Sequence, residues 1–144
     1  MPHGNIPERV REYCRKTGQP VPESVGEVMR CIYESLAMKY RLTIDNLEDC
    51  TGKTYPVIHV IGGGTKDTLL CQMTASSCGR TVVAGPIEAT VLGNIAVQLM
   101  ACGAIANVAE ARKIVKASEK TVEYSPENAD AWSEAYERFK NVVS

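Results

Sequence analysis

The stretch VIHVIGGG, residues 57–64, decides the fold. Four of its first five residues are β-branched, which is typical of a strand, and three glycines end the run abruptly. Because the run is apolar on both faces, it suits a buried strand of a parallel sheet better than a half-exposed one. We therefore predict a strand over residues 56–61 that is covered on both sides.

The residues that follow continue the pattern of an α/β protein. We predict a helix over residues 66–77 that ends at Gly79, a strand over residues 80–84 closed by Gly85-Pro86, and a helix over residues 87–102. This strand–helix–strand–helix order with short connections indicates parallel strands packed by helices. Two strands are few for a complete sheet, so the chain is expected to be part of something larger.

Helices are also predicted on the N-terminal side of this unit. Pro7 suits the first turn of a helix that ends near Gly18. Ser24, with Glu27 three residues later, forms a capping-box pattern that opens a long helix. The apolar stripe of this long helix is expected to pack on the sheet.

Two further helices are predicted on the C-terminal side. One covers residues 108–118, and Ser125-Pro126 opens the other. Its apolar residues fall on one face, as expected for packing rather than for stacking on nucleic-acid bases: Trp132, Tyr136, Phe139 and Val143.

Size and charge restrict the classes of protein. The 144 residues are enough for one domain and too few for two, so we treat residues 1–144 as one unit. The formal net charge is -1, from 16 basic and 17 acidic residues, which gives no cationic surface for nucleic acid or anionic lipid. No membrane span and no secretory signal are recognised, so we expect a cytoplasmic protein that binds neither nucleic acid nor membrane.

The six cysteines contain no C-x-x-C pair, which argues against a zinc ribbon or a thioredoxin-type motif. We expect most of them to be buried thiols that pack as small apolar side chains. Cys14 and Cys31 lie on neighbouring predicted helices and can be joined if those helices pack side by side. The sequence does not decide whether they pair.

The glycine turn has two interpretations. Three residues without Cβ atoms allow a ligand to approach the backbone, and the helix that follows presents free N–H groups to a phosphate or a polar ring. Alternatively, the glycines only serve a tight turn that requires positive φ. The turn is not a dinucleotide fingerprint, because Asp67 stands where the last glycine belongs, and Gly52-Lys53-Thr54 is not a P-loop, because Leu47 replaces its first glycine.

The second strand-to-helix turn carries two residues of interest. Glu88 suits the first turn of a helix, where a carboxylate can cap free amide groups. Gly93 is unfavourable inside a helix unless another segment packs close to it, and helix-on-sheet contact is the simplest reason for it. His59 lies in mid-strand, where we expect a core or sheet-facing side chain. No catalytic constellation and no set of metal ligands is found.

Together these segments are recognisable. The stretch 57–64, the run TLLCQ at residues 68–72 and the run GPIEATVLGN at residues 85–94 resemble the C-terminal lobe of FGGY carbohydrate kinases. The similarity is greatest to the branch of that family that phosphorylates L-rhamnulose. Residues 19–24, 31–37 and 126–139 look like the same family, so the resemblance covers essentially the whole chain.

The resemblance implies an actin-like ATPase architecture, of which this chain is a partial ribonuclease-H-like lobe: the C-terminal portion of the nucleotide-binding domain. The activity implied is transfer of the ATP γ-phosphate to L-rhamnulose, with magnesium. Gly63 is the leading nucleotide-binding residue, with Gly62 and Gly64 beside it, and Asp67 lies against the adenosine portion. No catalytic residue and no metal ligand is assigned to this chain.

The sequence departs from the family at Lys66-Asp67, where relatives often have Gln-Asn. An asparagine both donates and accepts hydrogen bonds, whereas an ionised aspartate only accepts. Asp67 therefore either faces the adenine amine or caps the next helix. Lys66 either contributes charge near the nucleotide or is a solvated surface lysine.

The resemblance also places the phosphate loops, the sugar-binding residues and the catalytic aspartate in segments without a counterpart here. The chain alone is therefore expected to be inactive and, with strands missing, to self-associate. The alternative is a non-catalytic module, either a nucleotide binder or a helical interaction domain whose glycine turns are only structural.

Overall fold

The computed structural model describes residues 4–143, and these form six α-helices, one short 3-10 helix and three strands. Residues 1–3, on which part of the expectation about a secretory signal depends, and residue 144 lie outside that range. The elements in chain order are α1 (Ile6–Lys16), α2 (Val25–Thr51), β1 (Val57–Val60), the 3-10 helix (Gly62–Lys66), α3 (Thr68–Cys78), β2 (Thr81–Ala84), α4 (Ala89–Ala101), α5 (Val108–Ser118), β3 (Val122–Tyr124) and α6 (Ala129–Val143).

The predicted capping box of α2 is present. Glu27 donates its backbone N–H to the Ser24 hydroxyl over 3.2 Å, and the Ser24 N–H donates to the Glu27 carboxylate over 3.0 Å. The helix ends at Gly52, which has a φ of 65°. Helix α1 is capped by Asn5, with Pro7 in its first turn. Local sequence signals therefore define both N-terminal helices.

The sheet confirms the α/β class and adds a strand that the sequence did not reveal. Strands β1 and β2 are parallel, with Val57 opposite Thr81 and Val60 opposite Ala84. Strand β3 pairs with the other edge of β2 and runs antiparallel to it. The sheet is therefore mixed rather than all parallel. A three-residue strand between two helical segments is too short to show an alternating pattern.

The core lies between one face of this sheet and α3. Val82 and Ala84 of β2 are 0% and 4% exposed, and they pack with Cys71 and Ala75 of α3. Half-buried residues of the neighbouring strands complete the cluster: Ile58, Val60 and Tyr124. Helix α2 packs on α3 from the far side, so this half of the molecule has the layer order sheet, α3, α2.

The opposite face of the sheet is open, so the prediction that β1 is covered on both sides is wrong for this chain. Val57 and Ile61 are 40% and 58% exposed, and His59 is exposed as well. Strand β1 also lies at the edge of the described sheet, since β2 is its neighbour on one side and no strand of residues 4–143 lies on the other.

A cleft of about 1010 Å³ separates this open face from α4 and α5. Helix α4 carries no charged residue, yet none of its side chains is buried. Gly93 lines the cleft, and a Cβ added to it would find no atom within 4 Å among the described residues. The expected close contact between Gly93 and the sheet is therefore absent.

The last helix begins later than predicted, and of its predicted apolar face Tyr136 is buried, Trp132 and Phe139 are half-buried and Val143 is exposed. Residues 125–128 cross α3 before α6 starts: the Gln72 side chain donates to the Ser125 carbonyl over 2.8 Å, and the Glu127 N–H donates to the Ser76 hydroxyl over 3.1 Å. Tyr136 of α6 is 3% exposed, and its hydroxyl donates to the Asp45 carboxylate of α2 over 2.8 Å. Burial, followed by that hydrogen bond, raises the pKa of Tyr136.

An ion pair connects the end of α2 to the start of β2. Arg80 lies 2.8 Å from one carboxylate oxygen of Glu48, and the Tyr55 N–H donates to the other oxygen over 2.8 Å. The Tyr55 N–H, and then Arg80, lower the pKa of Glu48. The loop before β1 is thereby attached to the strand that pairs with β1.

The cysteines are all free thiols, and the expectation that most are buried holds for only three of them: Cys14, Cys71 and Cys78. Cys50 and Cys102 are exposed. Burial, followed by the neighbouring Cys14 thiol, raises the pKa of Cys31, so the thiols of α1 and α2 lie close together without being joined.

Gly85 is the position at which the fold most clearly requires glycine. Its φ is 126°, and an added Cβ would lie 3.1 Å from the Lys120 carbonyl oxygen and 3.3 Å from Cγ2 of Thr121. Residues 120 and 121 lead into β3, so the close approach lets β3 reach β2. Neither the backbone conformation nor the space accommodates a side chain.

We expect Gly85→Ala and Gly93→Ala to change stability in opposite directions. Gly85→Ala should lower the free energy of unfolding by about 1–3 kcal/mol, because it adds backbone strain and a backbone contact. Gly93→Ala should raise it by about 0.5–1 kcal/mol, because alanine favours the helix and the site is empty. Urea unfolding followed by circular dichroism measures both values. A destabilising Gly93→Ala would show that a segment packs on α4.

Candidate functional site

Two turns meet at the carboxyl ends of the parallel strands. The Gly62 N–H donates to the Pro86 carbonyl over 3.1 Å, and the Gly85 N–H donates to the Val60 carbonyl over 2.9 Å. The turn after β1 and the turn after β2 therefore hold each other in place. In open α/β sheets, ligands bind outside this edge.

The glycine turn winds into the 3-10 helix and presents bare backbone. Gly62 has a φ of 77°, so the structural interpretation of this glycine holds. Added Cβ atoms at Gly62 and Gly63 would meet nothing within 4 Å, and one at Gly64 would meet only Cγ1 of Val60, at 3.7 Å. Positive φ therefore does not explain Gly63 or Gly64, and no described side chain fills the space at Gly62 and Gly63. The Thr65 hydroxyl closes the turn by donating to the Gly62 carbonyl over 2.8 Å.

Asp67 caps helix α3. One carboxylate oxygen accepts the Leu70 N–H over 3.0 Å, and the other accepts the Tyr33 hydroxyl of α2 over 2.7 Å. The backbone N–H of Asp67 donates to the Gly64 carbonyl over 3.2 Å. The bond to Asp67, with burial second, raises the pKa of Tyr33. The capping interpretation is therefore correct for the carboxylate, while Lys66 next to it is exposed.

The second turn differs from its prediction. Glu88 occupies the N-cap position of α4, but its side chain makes no capping hydrogen bond, so the expected capping role is wrong. Glu88 is exposed and lies two residues after Pro86, whose carbonyl accepts the Gly62 N–H.

Tyr33 is the residue of this region that sequence reasoning missed. In the sequence it is one of many polar or aromatic positions along a long helix, and its partner lies 34 positions away. Helical periodicity places it on the surface of α2 but carries no information about which segment its hydroxyl meets.

Metal ligands are not gathered in this part of the chain. Among residues 4–143 there is no group of three or more His, Cys, Asp or Glu side chains that could hold an ion. His59 lines the open cleft between the sheet and helices α4 and α5. The same residues include no helix with the length and apolar character that crossing a bilayer requires.

Comparison with known proteins identifies the family. Residues 3–102 match the C-terminal domain of the FGGY family of carbohydrate kinases. Rhamnulokinase of Bacteroides thetaiotaomicron is 45% identical over 96% of this chain, and that of Klebsiella pneumoniae is 44% identical over 81%. The matched regions are 29% and 24% of those relatives, so this chain spans less than a third of their length.

A solved structure supports the fold independently. The xylulose kinase of Rhodospirillum rubrum superposes with a TM-score of 0.66 at 21% identity, over 87% of this chain and 25% of that enzyme. The architecture is thus that of a sugar-kinase lobe with the actin-like ATPase fold. Because residues 3–102, more than half of this chain, match the family's C-terminal domain, the chain belongs to the FGGY family of carbohydrate kinases.

Proposed function

We propose that this chain is the C-terminal part of an enzyme that transfers the γ-phosphate of ATP to L-rhamnulose and forms L-rhamnulose 1-phosphate. The observation that carries the proposal is the open glycine turn at the carboxyl end of β1, in a chain 45% identical to a rhamnulokinase. We treat residues 1–144 as one unit of the nucleotide-binding domain.

In this proposal the glycine turn binds the adenine nucleotide. Gly63 is central, because it is exposed, has no neighbour within 4 Å of an added Cβ, and lies between the two other glycines. Gly62 and Gly64 flank the ligand, and free N–H groups at the start of the helical segment favour polar or anionic groups. Asp67 lies at the edge of this site, where its carboxylate is already engaged by Leu70 and Tyr33.

ATP and magnesium have different relations to this chain. The open space beside the backbone of the glycine turn supports a nucleotide site, whereas the described residues offer no cluster of ligands for an ion. We therefore assign no step to magnesium here. The metal would be held by the phosphates of ATP and by other parts of the complete enzyme.

Catalysis requires groups that this chain does not gather. Phosphoryl transfer depends on positioning and on charge stabilisation around the transferred group. The site described above consists of backbone and a helix cap, without a general base for the sugar hydroxyl. The sugar is therefore bound through the rest of the enzyme. We place that enzyme in the cytoplasm, where ATP is available, and assign it no nucleic-acid or membrane partner.

Gly63→Asp should weaken nucleotide binding. The aspartate fits the turn without steric conflict but places a carboxylate where the nucleotide would lie. We expect the dissociation constant for ADP, measured by calorimetry, to rise by about tenfold or more, which is about 1.4 kcal/mol. Gly26→Asp is the matched control, because it adds the same charge in the exposed first turn of α2.

If Gly63→Asp and the wild type bind ADP equally well, the nucleotide does not lie at this turn. A folded wild-type chain that does not bind ATP or ADP would contradict the proposed site. It would leave the non-catalytic helical module as the better description of this chain.

The purified chain should not phosphorylate L-rhamnulose. A coupled assay that follows ADP release with ATP, magnesium and L-rhamnulose is expected to give the rate of the protein-free blank. A rate above that blank, from material shown by mass spectrometry to be free of other kinases, would mean that this chain contains a complete active site.

Self-association of the isolated chain is the last part of the proposal. Strand β1 has an unpaired edge in the described sheet, and apolar side chains after β1, before α4 and along α4 are 42–61% exposed: Ile61, Ile87, Val91, Ile95 and Val97. Such edges and patches favour association. Light scattering over a range of concentrations should show an average mass that rises above the monomer's 15.7 kDa. A constant monomer mass would refute this expectation.

A further inference from the structure

Asp67 is the junction between the glycine turn and helix α3. Its backbone N–H donates to the Gly64 carbonyl over 3.2 Å, and its carbonyl accepts the Cys71 N–H over 3.0 Å. Its carboxylate accepts the Leu70 N–H over 3.0 Å. The last part of the turn and the first turn of α3 are therefore fixed through this one residue.

Helix α2 reaches this junction through Tyr33. The Tyr33 hydroxyl donates to the second carboxylate oxygen of Asp67 over 2.7 Å, and both side chains are half-buried. Helix α2 also packs on α3 along its length and is anchored at its far end by the contact of Glu48 with Arg80. The phenol thus connects the turn to a long helix that is itself held at the opposite end of the sheet.

The chemistry of this pair suits an aspartate at position 67. An ionised carboxylate accepts from two donors with two separate oxygens, and here these donors are the Leu70 N–H and the Tyr33 hydroxyl. An asparagine has one acceptor oxygen, so it could keep the Leu70 bond but would turn an N–H donor toward the phenol. The hydroxyl of Tyr33 therefore matches aspartate at position 67.

The same pair reduces the electrostatic penalty of a carboxylate near a bound nucleotide. The negative charge lies at the N-terminus of α3, where the helix dipole stabilises it. The phenol stabilises the same charge by donating a short hydrogen bond to the carboxylate. Each oxygen already accepts one hydrogen bond, from the Leu70 N–H or from the Tyr33 hydroxyl.

We propose that Tyr33 is a positioning residue that acts through Asp67 to fix the glycine turn in its nucleotide-accepting shape. The inference rests on the proposed nucleotide role of the turn for its functional consequence. The structural part of the inference is that a hydroxyl on α2 keeps the turn ordered. That part rests on the contacts alone.

Tyr33→Phe tests this directly, because it removes one oxygen and keeps the ring. Hydrogen exchange followed by NMR should show the hydrogen-bonded amides of Asp67 and Leu70 exchanging about tenfold faster, as expected for the loss of a hydrogen bond to a charged group. Amides of β2 should be unchanged. Tyr55→Phe is the control, since it removes a hydroxyl that contacts Thr51 at the opposite end of α2.

Asp67→Asn provides a second, independent variant. In the wild-type background it should accelerate exchange at the turn, because the phenol loses its acceptor. In the Tyr33→Phe background it should add little, because two residues that act through one bond are not additive. Equal effects of Asp67→Asn in both backgrounds would overturn the proposal.

Titration with ADP separates this inference from the proposed function. If the wild-type chain binds ADP, Tyr33→Phe should raise the dissociation constant several-fold under conditions in which circular dichroism shows both proteins to be fully folded. If Tyr33→Phe binds ADP and exchanges the amides of the turn as the wild type does, the role of Tyr33 is overturned and the nucleotide site is left intact. Faster turn exchange in a chain that does not bind ADP would support the positioning contact and refute the nucleotide role of the turn.

Discussion

The parallel pairing of β1 with β2 is the constraint on which the candidate site depends. Pairing in this register brings both carboxyl ends to one edge, where each turn donates to the other: Gly62 to Pro86 and Gly85 to Val60. A slip of one residue would rotate Val82 out of the core and separate these donors from their acceptors. The burial of a few small side chains on α3 therefore also fixes the geometry of a turn that has no side chains of its own.

The parts of this fold that could be predicted from the sequence are those encoded within a few residues. The side chains of Ser24 and Glu27 accept hydrogen bonds from each other's backbone N–H groups across one helical turn, so these two residues predict the start of α2. Gly52 and Gly79 end helices in the left-handed conformation for an equally local reason. The glycine turn belongs to this class, because its lack of Cβ atoms is a property of the sequence itself.

The parts that could not be predicted depend on segments far apart in the chain. Strand β3 exists because β2 offers it an edge and because Gly85 lets residues 120 and 121 approach. Tyr33 meets Asp67 only because α2 packs on α3. The apolar composition of β1 is that of a strand covered on both faces. In this chain, which is less than a third of the length of its relatives, only one face of β1 is covered. Periodicity reports how apolar a face is but not which segment covers it.

The two kinds of similarity carry different parts of the functional argument. The xylulose kinase shares the lobe at 21% identity, so this architecture alone does not select the sugar. The proposed nucleotide site is a turn of bare backbone, and backbone groups have the same chemistry whichever sugar the enzyme phosphorylates. The proposed sugar therefore depends on the 45% identity to a rhamnulokinase, whereas the proposed nucleotide site depends on geometry within this chain. The two proposals therefore rest on separate observations.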